Sequence, residues 1–163
     1  MATTVKLIDL TDSLEMVSEE SAAWLDLQTG RVLMIDDDVT RAVENAEDDE
    51  AIEEWGEDYV AATRAIEAGD KRYIALPDKF EFHEYRYMER FIGTIEDATS
   101  ADQLWRAIKG KGAFRYLKDT AERLGVIDQW YRYRDDAMNQ FMLDWAEANN
   151  VTVDQTPGRA DIA

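Results

Sequence analysis

Apolar residues recur every three to four positions through most of the chain, which is the spacing of an amphipathic helix. Polar and acidic residues fill the positions between them, so each stretch has one face suited to a core. Glycines and N-cap residues lie at several of the boundaries. The pattern predicts helices over residues 5–16, 52–66, 82–95, 101–109, 112–124 and 128–148.

Two of these helices flank a pair of glycines. Ser100 is the predicted N-cap of the helix over 101–109, and Gly110 stands where a helix usually ends in the left-handed conformation. The next helix is predicted to begin near Gly112. Its predicted buried stripe consists of Phe114, Leu117, Ala121 and Leu124.

Two other segments have the pattern of strands. Residues 21–36 contain two apolar runs around a short turn, in which Gly30 supplies a positive φ, and this predicts a β-hairpin. Residues 72–76 form a third predicted strand, stopped by Pro77, which has no N–H to continue a ladder. Asp36–Asp38 is predicted to be a loop.

These elements predict an α+β fold that is mostly helical, with five to six helices and a small antiparallel sheet. The 163 residues fit one compact domain. We expect that domain to cover residues 1–153. Residues 154–163 are predicted to be a disordered tail.

The amino-acid composition excludes several classes of functional site. The chain has no cysteine and one histidine, His83, which excludes a disulfide scaffold, a thiolate nucleophile, a cysteine-ligated metal and a multi-histidine metal site. No apolar run approaches the length of a membrane span, and the first residues do not resemble a secretory leader. We therefore expect a cytoplasmic protein without a cofactor or metal.

The net charge of −18 is distributed unevenly along the chain. Residues 36–58 hold twelve acidic residues and one arginine, a local charge of −11, whereas residues 105–134 hold eight basic and three acidic residues, a local charge of +5. A general acidic coat, as in a protein adapted to a salty cytoplasm, would cover both regions alike. The basic segment is therefore the first candidate for a binding surface.

The centre of the basic segment has the features of a phosphate cradle. A helix N-terminus near Gly112 would direct backbone N–H groups at an anion, and the two glycines would let a phosphate approach the backbone. The spacing is not that of a Walker A loop. In the alternative interpretation, the glycines only end and begin helices, and the basic side chains are only solvated. The predicted site residues are Lys109, Gly110, Lys111, Gly112, Arg115 and Lys118.

The sequence WYRYR alternates aromatic and guanidinium groups, a mixture that can stack on unpaired bases and neutralise phosphates. The alternative is that Trp130 and Tyr133 belong to the core while the arginines pair with nearby acids such as Asp135 and Asp136. The predicted stacking and phosphate contacts are Trp130, Tyr131, Arg132 and Arg134. No nucleophile elbow is present, and acidic residues are too abundant for any carboxylate pair to indicate catalysis.

The segments WLDLQTGRV, RYIALPD, MERFI, GKGAFRYLKD and WYRYRDDA, in this order, resemble the uncharacterised bacterial protein family UPF0158. The resemblance covers about residues 7–151 and is most specific over 110–119. The chain departs from the family pattern at Tyr116 and Leu117, where an arginine and a phenylalanine are expected, and Tyr116 removes one positive charge. Because the family has no assigned activity, the resemblance implies a folded cytoplasmic bacterial domain and no catalytic residue.

Three functions remain open at this point. The first is a non-enzymatic binding or regulatory module that uses its basic face to bind nucleic acid or another phosphorylated ligand. The second is an acidic protein-interaction factor, including a DNA mimic, that uses residues 36–58. The third is an enzyme acting on a phosphorylated small molecule.

Overall fold

The structure is a computed structural model that describes residues 3–45 and 55–156. The fold is α+β and mostly helical, which confirms the predicted class. Two of the helices, α2 and the single-turn α4, were not predicted. In chain order the elements are β1 (Thr4–Lys6), α1 (Leu7–Met16), β2 (Ser21–Asp26), β3 (Val32–Asp36), α2 (Asp37–Glu44), α3 (Glu57–Glu67), β4 (Tyr73–Ala75), α4 (Lys79–Phe82), α5 (Glu84–Ile92), α6 (Ala98–Ala107), α7 (Ala113–Leu124), α8 (Ile127–Ala148) and β5 (Thr152–Asp154).

Backbone contacts divide the chain into two compact units. The first unit consists of the described residues of 1–81 and 142–163, and it contains all of the strands. The second unit is residues 82–141 and is helical. The predicted extent of a single domain over residues 1–153 stays a prediction.

The first unit contains an antiparallel sheet with strand order β3-β2-β4. The hairpin predicted over 21–36 and the short strand predicted over 72–76 are both confirmed, with Ser21 paired to Asp36 and Trp24 paired to Ala75. Gly30 in the hairpin turn has a φ of +77°. A Cβ atom there would lie 2.3 Å from the Thr4 carbonyl oxygen, so the turn requires glycine.

An ion pair at the end of β2 connects the hairpin turn to the residue before β4. The Asp26 carboxylate accepts two hydrogen bonds of 2.8 Å from the guanidinium of Arg72, and it also accepts one of 2.9 Å each from the Gln28 N–H and the Thr29 hydroxyl. The Asp26 side chain is 7% exposed, compared with 40% for Arg72. These bonds hold the pKa of Asp26 well below its ordinary value, chiefly through the hydrogen bonds from Arg72.

A second, two-stranded sheet pairs β1 with β5 in parallel, with Val5 opposite Val153. The helix predicted over 5–16 therefore begins later, at Leu7, because residues 4–6 are a strand. The predicted disordered tail was expected to begin at residue 154, but Asp154 lies in β5. Residues 157–163 of that tail lie outside the described residues.

The stretch Asp36–Asp38, predicted to be a loop, ends β3 and begins α2. The aspartates favour this helix start because carboxylates in a first turn interact favourably with the helix dipole. Nearby, the hydroxyl of Tyr59 on α3 donates to the Met34 carbonyl at 2.5 Å and accepts from the Asp36 N–H at 2.9 Å. Residues 46–54, which include the start of the predicted helix over 52–66 and much of the acidic segment, lie outside the described residues.

The second unit buries the apolar faces of α5, α6, α7 and the first part of α8. Trp130 is 2% exposed, and its ring centroid lies 5.4 Å from that of Phe91. A second aromatic contact accompanies it, since the ring centroid of Tyr133 lies 5.7 Å from that of Phe91. The main buried cluster of this unit includes Met88, Phe91, Ile92, Leu104, Ile108, Ala113, Leu117, Ala121 and Trp130.

The helix boundaries in this unit differ in detail from the predicted ones. The N-cap of α6 is Asp97, whose carboxylate accepts from the Ser100 N–H at 3.1 Å and from the Ser100 hydroxyl at 2.6 Å. Ser100, the predicted cap, instead lies in the first turn. These bonds lower the pKa of Asp97, the hydrogen bond from the Ser100 hydroxyl being the largest cause. α6 ends at Ala107, two residues before the predicted end at Lys109.

The longest helix, α8, has 22 residues and begins at Ile127, one residue before the predicted start. Its charged residues, among them Arg132 and Arg134, interrupt every apolar stretch. Within residues 3–45 and 55–156, none of the helices combines the length and the apolar character that crossing a membrane requires.

Candidate functional site

The junction between α6 and α7 consists of a buried isoleucine followed by two glycines in the left-handed conformation. Ile108 follows the end of α6 and is buried, and its carbonyl oxygen accepts a hydrogen bond of 3.0 Å from the Tyr85 hydroxyl. Gly110 and Gly112 then have φ angles of +90° and +79°, the left-handed region that favours glycine. The prediction that these glycines mark a helix-to-helix junction is thereby confirmed.

The N-terminus of α7 has no side-chain cap. Gly112 is its N-cap residue, and the Tyr116 N–H donates to the Gly112 carbonyl oxygen at 2.9 Å. The N–H groups of Ala113, Phe114 and Arg115 precede this first intrahelical bond, so they have no partner within the helix. Together they place a partial positive charge of roughly +0.5 at this end of the helix.

Four basic side chains in and around this junction, and a fifth on α8, have no described carboxylate to neutralise them. All five are exposed, and no described residue places a carboxylate within salt-bridge distance of them. By contrast, Arg106 pairs with the Asp102 carboxylate at 3.0 Å. Arg123 is not counted with the five because its guanidinium donates to the Gln103 side-chain oxygen at 2.8 Å, although this amide is neutral. The five are Lys109, Lys111, Arg115, Lys118 and Arg132.

A cleft of about 170 Å³ brings the two predicted motifs together. The first motif contributes side chains from α7, and the WYRYR segment contributes side chains from α8. On α5, Glu84 pairs with Arg134 in a half-buried ion pair, so this arginine is held in the wall of the cleft. The lining residues are Glu84, Phe114, Leu117, Lys118, Trp130 and Arg134.

The WYRYR segment is divided between the core and the surface. Trp130 is a core residue, so the prediction that its ring stacks on a base is wrong, because a ring that is 2% exposed has no free face. Tyr131 and Arg132 are exposed. Arg134 pairs with Glu84, fifty residues before it.

Two exposed aromatic residues were not predicted as site residues. Phe114 was expected in the buried stripe of α7 but is 49% exposed, and Tyr116 is 53% exposed. The stripe is instead formed by Ala113, Leu117 and Ala121, with Leu124 half-buried. Ala113 lies one residue before Phe114, and the helical period cannot distinguish the edge of an apolar face from its centre.

The ring of Tyr116 lies against the glycine at the helix N-terminus. A Cβ atom built on Gly112 would be 3.0 Å from Cε2 and 3.3 Å from Cδ2 of that ring. The aromatic ring is therefore adjacent to the first turn of α7, where the unpaired N–H groups lie. Arg115 precedes Tyr116 on this turn, and Lys111 lies directly before the N-cap Gly112.

The sequence model of a protein family described as "Uncharacterised protein family (UPF0158)" matches residues 2–156. The chain belongs to UPF0158. The resemblance predicted from the segments around residues 110–119 is confirmed by this match.

One curated relative of this UPF0158 chain is a UPF0158 protein of Pseudomonas aeruginosa, 26% identical over 65 residues. The aligned stretch covers 39% of the chain and 42% of the relative, so the chain spans less than half the length of the curated relative it matches. No solved structure gives a significant match. Membership of UPF0158 therefore establishes the family, and the activity has to be argued from the site.

What this UPF0158 site can do follows from its side chains. The unpaired lysines and arginines, with the amides of α7, can bind an anion, and the exposed rings of Phe114 and Tyr116 can contact a flat apolar group. Within residues 3–45 and 55–156, no group of three or more His, Asp or Glu side chains lies close enough to hold a metal ion.

Gly112→Ala is expected to destabilise the UPF0158 fold by about 1–2 kcal/mol, because the positive φ is unfavourable for alanine and the new methyl group would displace the Tyr116 ring. Gly110→Ala is the matched control, since its φ is also positive but nothing lies within 4 Å of its added Cβ. Urea unfolding should show a larger loss for Gly112→Ala than for Gly110→Ala. Equal losses would show that Tyr116 does not pack on this glycine.

Proposed function

We propose that the chain is a non-enzymatic binding module that uses the basic surface around the α6–α7 junction to bind a nucleic acid or another phosphorylated ligand. The observation that carries this proposal is the set of five exposed basic side chains without a described carboxylate partner, in a chain of net charge −18. Acidic residues outnumber basic ones two to one. Four of the five cations lie within residues 109–118, and this local concentration of positive charge favours an external anion.

The backbone at the junction supports a phosphate as the anion. The left-handed glycines bring the chain into α7 with its first amides uncapped, and an uncapped helix N-terminus accepts phosphate groups. Lys111 lies directly before this turn and Arg115 within it. Neutral amides and mobile cations then act on the same ligand group.

The size of the cleft favours binding over catalysis on a small molecule. At about 170 Å³ it is smaller than the roughly 300–1,000 Å³ of clefts that enclose small-molecule ligands. It can accept one ring or one phosphate of a ligand that extends over the surface. The acidic alternative, which uses residues 36–58, includes residues 46–54, which lie outside the described residues, and it stays a prediction.

Salt-dependent binding tests this proposal. The probes are a short labelled oligonucleotide and inorganic polyphosphate, and affinity should fall steeply between about 50 and 200 mM salt because bound counterions are released. The double variant Lys111→Glu/Arg115→Glu is expected to bind about tenfold or more weakly and to lower the salt slope by about 1 to 2.

The matched control is Arg31→Glu/Lys71→Glu, which changes the net charge by the same amount at two exposed residues of the first unit. It should bind almost as well as the unsubstituted chain. If both double variants weaken binding equally, only the total charge matters and the site is not at the junction. Absence of binding to every probe would overturn the proposal.

A further inference from the structure

Exposed aromatic side chains are concentrated in the segment that carries the unpaired cations. Among the described residues, eight large apolar side chains are exposed, and four of them lie between residues 105 and 131. Single exposed apolar residues are common on protein surfaces. Here all four are aromatic, and they lie in the same segment of the chain as the basic residues that have no described carboxylate partner. The four are Trp105, Phe114, Tyr116 and Tyr131.

Two of these rings are placed beside groups that can bind phosphate. Tyr116 lies against Gly112, next to the uncapped amides of α7 and between Arg115 and Lys118 in the chain. Phe114 lines the cleft together with Lys118, one helical turn further along α7, so the ring and the ammonium group share one face. In the cleft, the Phe114 ring and the Lys118 ammonium group are within reach of one nucleotide. The Tyr116 ring, two residues along α7 and therefore on another side of the helix, lies beside the helix N-terminus.

We propose that the ligand of this surface is a single-stranded nucleic acid, whose unpaired bases stack on Tyr116 and Phe114 while its phosphates contact Lys111, Arg115 and Lys118. This inference rests on the proposed function and specifies its ligand class. Aromatic side chains combined with a positive surface are the usual means by which proteins bind unpaired strands without sequence preference.

The same observations disfavour a duplex. Its bases are already stacked on one another, so two exposed rings would gain no partner, and it presents one phosphate for each 1.7 Å or so of helix axis. A chain with net charge −18 repels such a dense anion beyond its small basic surface. A flexible strand can contact the basic surface alone. An inorganic polyphosphate has no bases and gains nothing from the rings.

The experiment compares three probes by fluorescence anisotropy at fixed salt: a labelled oligothymidylate, the same strand annealed to its complement, and labelled inorganic polyphosphate. We expect the single strand to bind about tenfold or more tightly than the other two. Tyr116→Leu and Phe114→Leu should each weaken single-strand binding by about fivefold to a hundredfold, the effect of losing one base stack. Tyr116→Phe should retain most of the affinity, because the ring remains.

Phe80→Leu is the matched control, since Phe80 is the most exposed phenylalanine of the described residues and lies outside the basic segment. It should leave binding unchanged. The substituted rings are half exposed, so folding should survive, and a far-ultraviolet circular dichroism spectrum checks this. An arm with oligouridylate separates RNA from DNA, and binding to either supports the inference.

The outcomes distinguish this inference from the proposed function. Equal binding of all three probes, with no effect of Tyr116→Leu or Phe114→Leu but a loss in Lys111→Glu/Arg115→Glu, overturns the single-strand inference and leaves the proposed function standing. Preferential binding of the duplex has the same meaning. If no probe binds, both are overturned.

Discussion

Trp130→Ala is expected to lower the free energy of unfolding of the second unit by about 3–5 kcal/mol, the usual cost of removing a large aromatic side chain from a core. The indole is 2% exposed and packs against Phe91 in the centre of the helical core. Its removal leaves a cavity bounded by α5, α7 and α8, which the remaining side chains fill only partly. Hydrogen exchange within residues 84–141 should accelerate accordingly.

Tyr131→Ala is the control for this substitution, because it removes an exposed aromatic ring at the adjacent position. We expect it to change stability by less than about 0.5 kcal/mol. The pair of variants separates the two roles that the WYRYR segment allows. If Trp130→Ala kept the stability of the unsubstituted chain and reduced only ligand binding, this result would contradict the burial of the indole in the core of the second unit.

Asp26→Asn is expected to destabilise the first unit by about 2 kcal/mol at neutral pH. The substitution keeps the size of the side chain but removes the charge that faces Arg72, and it replaces one accepting oxygen with a donor. The turn between β2 and β3 and the approach of β4 both depend on these bonds. Urea unfolding followed by circular dichroism at pH 7 measures the loss.

The pH dependence of this loss follows from the lowered pKa of Asp26. In the unfolded chain the carboxyl titrates near its ordinary value of 3.8, whereas in the folded chain Arg72 holds its pKa lower. Its contribution to stability is therefore fully present above about pH 4 and decreases as the pH falls through the folded pKa. The difference between the unsubstituted chain and Asp26→Asn should stay constant from neutral pH to about pH 4, then shrink in more acidic solution.

Asp38→Asn provides the comparison, because Asp38 forms an exposed ion pair of 3.4 Å with Arg41 on α2. Exposed pairs of this kind contribute little, so the expected loss is below about 0.5 kcal/mol. A loss for Asp26→Asn as small as that for Asp38→Asn would contradict the structural role of the Asp26–Arg72 pair. A difference that grew in acid would contradict the direction of its pKa shift.

The conformational preferences of single residues were sufficient to predict the β2–β3 hairpin and the junction between α6 and α7. The turn around Gly30, the stop at Pro77 and the positive φ of Gly110 and Gly112 all follow from restrictions on one or two residues. These restrictions act whatever the rest of the chain does. The position of the α6–α7 junction along the sequence was therefore predictable, including the helix that begins after Gly112.

Features that depend on distant residues were not predictable in the same way. The pairing of β1 with β5 involves strands of three residues each, too short for a periodic signal, and they are separated by almost the whole chain. Arg134 forms an ion pair with Glu84 on another helix, fifty residues earlier in the sequence. The exposure of Phe114 depends on how α7 is rotated about its axis against the neighbouring helices. The apolar pattern of α7 defines this rotation only to within about one residue.

The pairing of β1 with β5 also constrains the order of folding. The backbone hydrogen bonds of β1 to β5 close a loop that contains nearly all of the chain, and closing a loop costs more entropy as it lengthens. During synthesis, residues 4–6 must wait for residues 152–154 before this pairing can form, whereas the hairpin can form as soon as Asp36 has been made. β1 is therefore expected to join its partner late, after the shorter-range contacts of the β2–β3 hairpin.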